Sequence, residues 1–394
     1  MGTIIRNISA LELYRTPPVV RDLQLGLDHL CSDTIPDDFK RPRSNAPEEI
    51  RTLRDHFLGP LKGLSFPIHL SNTDNHRCRS ESIRWHSLGN VNAQDLVAIG
   101  EGLFVTSPER TLLDLSVKST AGRMALLVME FCGLFADAPE NPLTKAALDL
   151  LDSDLKINRP SKVLAAYYGI DGRPRAFTDR HGHPLPWQPD PGSHTWKRPP
   201  LSTPEALLSF ASHAKGMRGS RLLSSAIAMT SPGAGSPLES KIALLLGPLR
   251  SRGQEALPAF HLNRRIGIPR DFKELLGTSV LVPDIGWFSE HDNRLLCCCE
   301  VDGARHHAQQ DERKRLFYDD STRRSALSHI SREVITITYP QVANLEKWDM
   351  VLDLIYRAVD LKRPHPTAAF LRRRKELHGE LFPLGVAGRS EGSR

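Results

Sequence analysis

The sequence predicts an α/β protein with two domains, and three observations lead to this prediction. The chain has 394 residues, which is more than one ordinary hydrophobic core accommodates. Residues 171–204 are rich in Pro, Gly, His and Ser, as expected of a linker or an extended surface crossing. Beyond them, the patterns follow the order helix, strand, strand, helix, strand, helix. We therefore expect a mixed α/β domain at 1–170, a linker at 171–204, a second α/β domain at 205–360 and a basic tail at 361–394.

The composition excludes several classes of protein. Hydrophobic residues make up 40% of the chain and charged residues 25%, which is typical of a globular protein. There is no run of about 18 apolar residues, and the first residues lack the basic stretch and apolar run of a signal peptide. No CxxC pair is present, which argues against a zinc site. We expect a cytoplasmic protein without a membrane partner, in which the consecutive Cys297, Cys298 and Cys299 are small buried hydrophobic residues.

The excess positive charge lies near the C-terminal end. The formal net charge is +6, and residues 361–394 contain eight Lys or Arg against three Asp or Glu. A basic tail can contact phosphates without reading a base sequence. The alternative is a solvated, partly disordered end of the chain. Under the first interpretation, Arg372, Arg373 and Arg374 contact nucleic acid.

In the first domain, local patterns predict each element in turn. Ser9 precedes a short apolar run and predicts a capped helix, while Ser107 and Pro108 have the types preferred at an N-cap and at the first helical position. Strands are predicted where polar and apolar residues alternate, or where β-branched and aromatic residues are concentrated. We expect strands at Phe66–Leu70, Glu81–His86 and Leu103–Thr106, and helices from Ser107, at 123–135 and at 143–151.

In the second domain, the start signals of two helices are clear. Thr203 and Ser236 each precede a proline and an acidic residue, which is the pattern of a helix N-terminus. The polar turn 289–293 separates two apolar segments and predicts a hairpin. We expect strands at Ser279–Phe288, Arg294–Val301 and a buried, β-branched strand at Val334–Thr338, with helices at Asp311–Ile330 and Leu345–Leu361.

Carboxylates occur on both strands of the predicted hairpin. Asp284 interrupts an otherwise apolar strand, and Glu300 and Asp302 stand two apart at the end of the next, where they share a face. Such carboxylates are costly in an apolar setting unless they bind something. One or two carboxylates suit Mg²⁺, which activates water and stabilises phosphate charge in phosphodiester hydrolysis. The pattern predicts a Mg²⁺ or Mn²⁺ site with Asp284 and Glu300 as ligands. The alternative is that Glu300 and Asp302 are exposed at the strand end or paired with Arg305.

Three further features accompany these acids, each with two interpretations. Glu239 stands three residues after Ser236, so it either completes a capping box or places an acid beside the site. His306 either shuttles a proton and orients water or is a surface histidine. The helix at 311–330 mixes both signs of charge, so Arg313 and Arg323 either belong to a solvated face or contact phosphates.

Together these segments resemble the uncharacterised relatives of the very-short-patch-repair (Vsr) endonuclease, within the PD-(D/E)xK superfamily. The resemblance covers the chain from about residue 236 to about residue 340. It is carried by Ser236–Ser240, Pro283, Asp284, Glu300–Gly303, His306, Asp320, Arg323, Leu327 and Val334–Ile337.

This resemblance implies a restriction-endonuclease-like αβββαβ core, a divalent metal and DNA as substrate. By position, it implies that Asp284 and Glu300 are metal ligands, that Glu239 is an auxiliary acid and that His306 is a catalytic or structural histidine. Asp302 stands where the superfamily prefers lysine, which leaves the identity of the general base open.

The first domain is similar to the C-terminal region of AbiEi-type antitoxins. The residues that carry this similarity are Pro67–Leu70, Gly102–Thr111 and Leu112–Leu115. The winged helix of those antitoxins has no counterpart before the Ser9 helix. The similarity implies a toxin–antitoxin partner. The alternative for Glu109, Arg110 and Asp114 is a buried polar network at a helix start.

Three hypotheses follow for the whole chain. The first is a metal-dependent DNA endonuclease, and the second is a non-catalytic DNA-binding or toxin–antitoxin regulatory protein on a degenerate nuclease fold. The third is a structural protein whose acidic cluster pairs with arginines of the 311–324 segment. They differ in whether the carboxyl oxygens of Asp284 and Glu300 converge to within about 5 Å, as joint ligation of a metal ion requires. The sequence leaves the oligomeric state open.

Overall fold

In a computed structural model, the described residues divide into two compact units. They are 2–16, 63–72, 81–100, 102–137, 139, 144, 166–168, 174–176, 195–198, 200–268, 270, 273, 279–302 and 323–383. Unit 1 comprises Met1–Lys118 and Phe135–Arg221, and unit 2 comprises Ser119–Leu134 and Leu222–Arg394. Neither predicted boundary, at 170 or at 204, coincides with this division. No helix in the described ranges is long and apolar enough to cross a bilayer.

Unit 1 is built on a mixed five-stranded sheet with the order β3-β2-β1-β5-β4. The pairs β1–β5 and β2–β3 are parallel, and β1–β2 and β4–β5 are antiparallel. Helices α1 and α2 pack against each other, and α1 also packs on the sheet. The elements are β1 Thr3–Ile5, α1 Asn7–Arg15, β2 Ile68–Asn72, β3 Ile83–Trp85, β4 Leu96–Gly100, β5 Leu103–Thr106 and α2 Pro108–Ser116.

The sequence-based expectations for these elements have mixed outcomes. The strand Leu103–Thr106 is confirmed at its predicted bounds, and Ser107 caps α2 by accepting a hydrogen bond from the Arg110 N–H. The predicted cap at Ser9 is wrong, because α1 already begins at Asn7 and the Ser9 hydroxyl instead accepts a hydrogen bond from the His69 N–H. The strands predicted at 66–70 and 81–86 occupy Ile68–Asn72 and Ile83–Trp85. Of the helix predicted at 143–151, only Thr144 lies within the described residues.

Beyond α2, the chain forms further helices and two antiparallel ribbons, β6 with β9 and β7 with β8. The predicted helix start at Thr203 is confirmed, since its hydroxyl accepts a hydrogen bond from the Ala206 N–H. The elements are α3 Ala121–Phe131, β6 Phe135–Asp137, β7 Ala166–Tyr168, β8 Pro174–Ala176, β9 Thr195–Lys197, α4 Pro204–His213 and α5 Ser220–Ile227. Of these elements, α3 and most of α5 belong to unit 2.

Unit 2 is built on a four-stranded mixed sheet with the order β10-β13-β14-β15. Strand β13 is antiparallel to both of its neighbours, β10 and β14, and β15 runs parallel to β14. Strands β11 and β12 form a separate antiparallel ribbon. Helix α6 precedes the sheet strands, and a helix at residues 323–330, named α7, lies between β14 and β15. The bounds are α6 Pro237–Leu246, β10 His261–Leu262, β11 Ile266–Gly267, β12 Val280–Leu281, β13 Ile285–Phe288, β14 Leu295–Asp302 and β15 Glu333–Thr338.

Three C-terminal helices complete unit 2: α8 Tyr339–Ala343, α9 Leu345–Ala358 and α10 Ala368–Leu381. Helix α3 packs against α6 and α10, which explains why this segment belongs to unit 2. The carboxylate of Glu380 on α10 accepts hydrogen bonds from the Gly122 N–H and the Thr120 hydroxyl, at 2.7 and 2.8 Å. It thereby satisfies one of the free N–H groups at the start of α3.

Several predictions for unit 2 are refined by the structure. The strand predicted at 279–288 is split at Pro283, which has no N–H for a strand ladder. Beyond the split, the Asn263 N–H donates to the Asp284 carbonyl and continues the β10–β13 register by one pair. The three cysteines are buried, as predicted. β15 alternates rather than being buried throughout, with Ile335 and Ile337 in the core. Of the helix predicted at 311–330, the described part is 323–330.

The segment predicted as a basic tail contains an ordered helix. In α10, Phe370, Leu377 and Leu381 are buried, and Thr367 caps the helix by accepting from the Phe370 N–H. This apolar stripe anchors residues that the charge count alone assigns to a solvated end.

Candidate metal centre

Asp284 lies where the chain enters β13, directly beside the end of β14. Its Oδ2 atom accepts a hydrogen bond from the Val301 N–H at 2.7 Å. Because Ile285 pairs with Cys299, the residue before Ile285 stands next to Glu300. The split of the predicted strand at Pro283 therefore turns the Asp284 carboxylate towards the β14 backbone.

Glu300 and Asp284 meet the same guanidinium group. The Arg323 Nη2 atom lies 3.0 Å from Glu300 Oε2 and 3.8 Å from Asp284 Oδ1, and it donates to the Val282 carbonyl at 2.7 Å. The separation of the two carboxylate oxygens cannot exceed the sum of their distances to this shared nitrogen. Both acids are therefore on the same side of the sheet, as joint ligation of an ion requires.

Glu239 brings a third carboxylate to this region from helix α6. The Ser236 hydroxyl accepts from the Glu239 N–H, which is the predicted cap. The Glu239 carboxylate reaches back to the Gly235 N–H at 2.7 Å and accepts from the Asn263 side-chain amide at 2.6 Å. The side chain is buried, and its pKa responds to the charge of Asp284. The Ser236 half of the predicted capping box is confirmed, but the Glu239 carboxylate binds the Gly235 N–H rather than the Ser236 N–H. Glu239 therefore holds the chain before the helix and also lies beside Asp284.

The charge of Asp284 raises the pKa of the two neighbouring glutamates. Burial, followed by the negative charge of Asp284, raises the pKa of Glu239 to about 7. The same two causes raise the pKa of Glu300 to about 7, against the opposing charge of Arg323. Desolvation and like charge both disfavour the ionised form. The cluster therefore holds unfavourable negative charge near neutral pH, which a bound cation would relieve.

Asn263 was not singled out by sequence reasoning, and it links the helix to the sheet. Its φ of 50° is in the left-handed region, which Asn tolerates better than most residues. Its side-chain amide donates to Glu239 Oε2 and to the Gly233 carbonyl, while its N–H donates to the Asp284 carbonyl at 3.1 Å. A single residue thus holds Glu239 and the Asp284 segment in a fixed relation.

The remaining predicted site residues have different positions. Asp302 is exposed at the end of β14. It is separate from the charge cluster, in which Arg323 forms its ion pairs with Asp284 and Glu300. His306 and Arg313 lie outside the described residues.

The arginines of α10 that were predicted to bind nucleic acid differ in their exposure to solvent. Arg374 is buried and pairs with Glu255 and Asp349, so its guanidinium faces the protein interior. Arg372 and Arg373 are exposed.

The donor set can be tested for its fit to a divalent ion. Among the described residues, no group of three or more His, Cys, Asp or Glu side chains is arranged to hold a metal. Mg²⁺ commonly takes only one or two protein carboxylates, with water and phosphate oxygens as further ligands. The hard oxygens of Asp284 and Glu300, facing one cationic nitrogen on the same side of a sheet, fit that requirement.

Comparison of the chain with protein-family models, curated proteins and solved structures finds no match.

Proposed function

We propose that unit 2 is a metal-dependent DNA endonuclease module of the PD-(D/E)xK type, in which Asp284 and Glu300 hold Mg²⁺ or Mn²⁺. The observation that carries the proposal is the convergence of these two carboxylates on the Arg323 nitrogen, from neighbouring strands. Two acids that share one cation in this way can share another.

The order of elements also supports the proposal. A helix (α6), three antiparallel sheet strands (β10, β13, β14), a helix (α7) and a parallel strand (β15) follow one another along the chain. This is the αβββαβ order that the resemblance implies. The β11–β12 ribbon is an addition between the first and second sheet strands.

The electrostatics give each residue a part in the proposed reaction. A bound Mg²⁺ ion would supply Lewis acidity for the scissile phosphate and lower the pKa of water. Asp284 and Glu300 would hold the ion, and Asn263 keeps Glu239 beside Asp284 through its 2.6 Å hydrogen bond. With a pKa of about 7, Glu239 can exchange a proton near neutral pH.

Arg323 supports a second candidate function. Its guanidinium already pairs with both carboxylates and offsets part of their negative charge, as the third sequence-based hypothesis expects of an arginine in this segment. A protein in which Arg323 permanently takes the place of the metal would be a non-catalytic DNA-binding or regulatory protein. Its acids would be structural, and divalent ions would not bind. A toxin–antitoxin partner for unit 1 stays a prediction from the resemblance.

Plasmid cleavage under a Mg²⁺ and Mn²⁺ titration tests the proposed activity. Asp284→Asn keeps an acceptor for the Val301 N–H but removes the charge of a ligand, so we expect nicking to fall by more than about 100-fold. Asp292→Asn is the matched control, because Asp292 is an exposed acid in the turn between β13 and β14. Equal nicking by the wild type and Asp284→Asn would overturn the assignment of the site. No nicking by the wild type would favour the non-catalytic alternative.

A further inference from the structure

Helix α10 divides its cations between two faces. On the inner face, Arg374 pairs with Glu255 at 2.5 Å and with Asp349 at 2.7 Å. Arg363, from the segment before α10, pairs with the same Asp349 and with Asp353. These acids are thus already engaged by inward-facing arginines.

Around the outer side of α10, Arg372, Arg373 and Lys375 are exposed, with Arg372 between the other two because successive helical residues are about 100° apart. Successive turns of a helix place side chains three apart on one side, so Arg372 and Lys375 stand about 5 Å apart along the axis. The apolar stripe of α10 and the hydrogen bonds of Glu380 to the start of α3 hold this face in position. The cations therefore project from a fixed support.

A 3₁₀ turn at Arg250–Arg252 extends this face with two more cations. The Arg250 guanidinium lies 3.9 Å from the centre of the Phe370 ring, and Arg252 is exposed. Gly253 follows with φ 88°, and a Cβ atom there would lie 2.5 Å from the Arg373 carbonyl oxygen. Only glycine permits this close approach of the turn to the α10 backbone.

The resulting surface has a large excess of positive charge. We name it the basic face, and its members are Arg250, Arg252, Arg372, Arg373 and Lys375. In the part of the chain that the structure describes, no carboxylate forms an ion pair with any of these five. Glu376 is the exposed acid on the same helix, and Glu380 is engaged with α3.

We propose that the basic face is a docking surface for the phosphate backbone of double-stranded DNA. Arginine is suited to phosphate because its planar group donates two parallel hydrogen bonds, and four of the five cations are arginines. The members of the basic face are cations and include no aromatic side chain on which a base could stack. Such a surface would position a duplex through its phosphates rather than read its sequence. That this surface presents DNA to the acidic centre for cleavage rests on the proposed function. That it binds DNA does not depend on the proposed function.

Salt-dependent binding of a fluorescein-labelled 20-base-pair duplex in EDTA tests this proposal. The variant Arg252→Gln/Arg372→Gln/Arg373→Gln removes three exposed charges without changing the buried stripe. Its matched control, Arg332→Gln/Lys347→Gln/Arg357→Gln, removes three exposed charges from other elements of unit 2. The slope of log K against log salt falls by about 0.9 for each lost phosphate contact. We expect the first variant to bind at least about tenfold more weakly at low salt, with a slope smaller by roughly three.

Equal affinity and slope for the two triple variants would overturn the proposal. So would a selective loss of binding to polyglutamate with DNA binding retained, which would instead identify an acidic protein as the partner. EDTA removes divalent ions, so this result is independent of cleavage. A wild type that binds DNA through the basic face but never nicks plasmid would contradict the proposed enzyme and leave the docking surface standing.

Discussion

Two clusters of buried charge, one in each unit, differ in their balance of signs. In unit 1, Arg6 and Arg110 both pair with Asp114, at 2.6 and 3.3 Å, and Arg110 also lies 3.6 Å from Asp95. Two arginines thus meet two carboxylates, and all four side chains are only 6–7% exposed. Glu109 accepts from Ser202 instead. The alternative predicted for Arg110 and Asp114, a buried polar network at a helix start, is confirmed.

The acidic centre of unit 2 has the opposite balance. Asp284 repels both Glu239 and Glu300, and Arg323 is the cation that contacts Asp284 and Glu300. A balanced network is complete by itself and fixes the fold. An excess of one sign leaves a free-energy cost that a ligand of the other sign removes. The comparison suggests that charge imbalance, rather than burial of charge, distinguishes a binding centre from a structural network.

The largest expected effect comes from breaking the balanced network. Asp114→Ala leaves Arg6 and Arg110 buried without their main partner, so we expect it to lower the free energy of unfolding by about 3–5 kcal/mol. Chemical denaturation measures this change. Asp292→Ala removes an exposed carboxylate and should leave the free energy of unfolding almost unchanged. Similar losses in the two variants would show that the unit 1 network does not stabilise the fold.

The second-largest effect is expected on the free energy of unfolding, when pH or a divalent metal ion changes the charge of the acidic centre. Folding raises the pKa of Glu239 and Glu300 to about 7, above the unfolded values near 4.3. The folded state therefore binds more protons than the unfolded state between these values. The contribution of the two groups to stability is present at low pH and is lost as pH rises through about 7. The double variant Glu239→Gln/Glu300→Gln should lack this loss.

Metal binding should reverse that loss, because an ion binds the deprotonated carboxylates. At a concentration 100 times its Kd, Mn²⁺ should stabilise the wild type by about 2.7 kcal/mol at pH 8 and by much less at pH 5.5. Thermal unfolding at both pH values measures the difference. Equal stabilisation at the two pH values, or the same stabilisation of the double variant, would place the ion elsewhere.

A smaller effect is expected from Arg323→Ala, which removes the cation of the acidic centre and so increases the difference in charge balance between the two clusters. Arg323 lowers the pKa of Glu300 and lies where an ion would bind both acids. We expect its removal to strengthen Mn²⁺ binding at pH 8 by about tenfold, equivalent to about 1.4 kcal/mol. The exposed neighbour Arg324 supplies the control variant, Arg324→Ala. Calorimetry that finds no Mn²⁺ binding to Arg323→Ala would support a permanent structural role for this arginine.

Local signals were sufficient to predict several elements and part of the site. Ser107 and Ser236 cap helices because the cap, the proline and the acid that follow are neighbours in the chain. Asp284 and Glu300 could be placed together because the polar turn 289–293 fixes which strands are adjacent. Period-two alternation then decides which side chains share a face.

Other features depend on contacts that sequence patterns do not encode. Nothing in the mixed charges of the 311–330 segment indicates that Arg323, rather than Arg324, reaches the acids. The left-handed backbone of Asn263 and its hydrogen bond to Glu239 join positions 24 residues apart. For α10 a signal was present, since Thr367 precedes an apolar stripe, but the basic residues drew the prediction towards a tail.

The most direct test of the account is Mn²⁺ binding to the full chain, measured by isothermal titration calorimetry at pH 8 for the wild type, Asp284→Asn and Asp292→Asn. The account predicts saturable binding to the wild type and to Asp292→Asn, and a loss of affinity of more than about 100-fold for Asp284→Asn. Equal binding by all three proteins, or no binding by the wild type, would contradict the claim that Asp284 and Glu300 form a cation-binding centre.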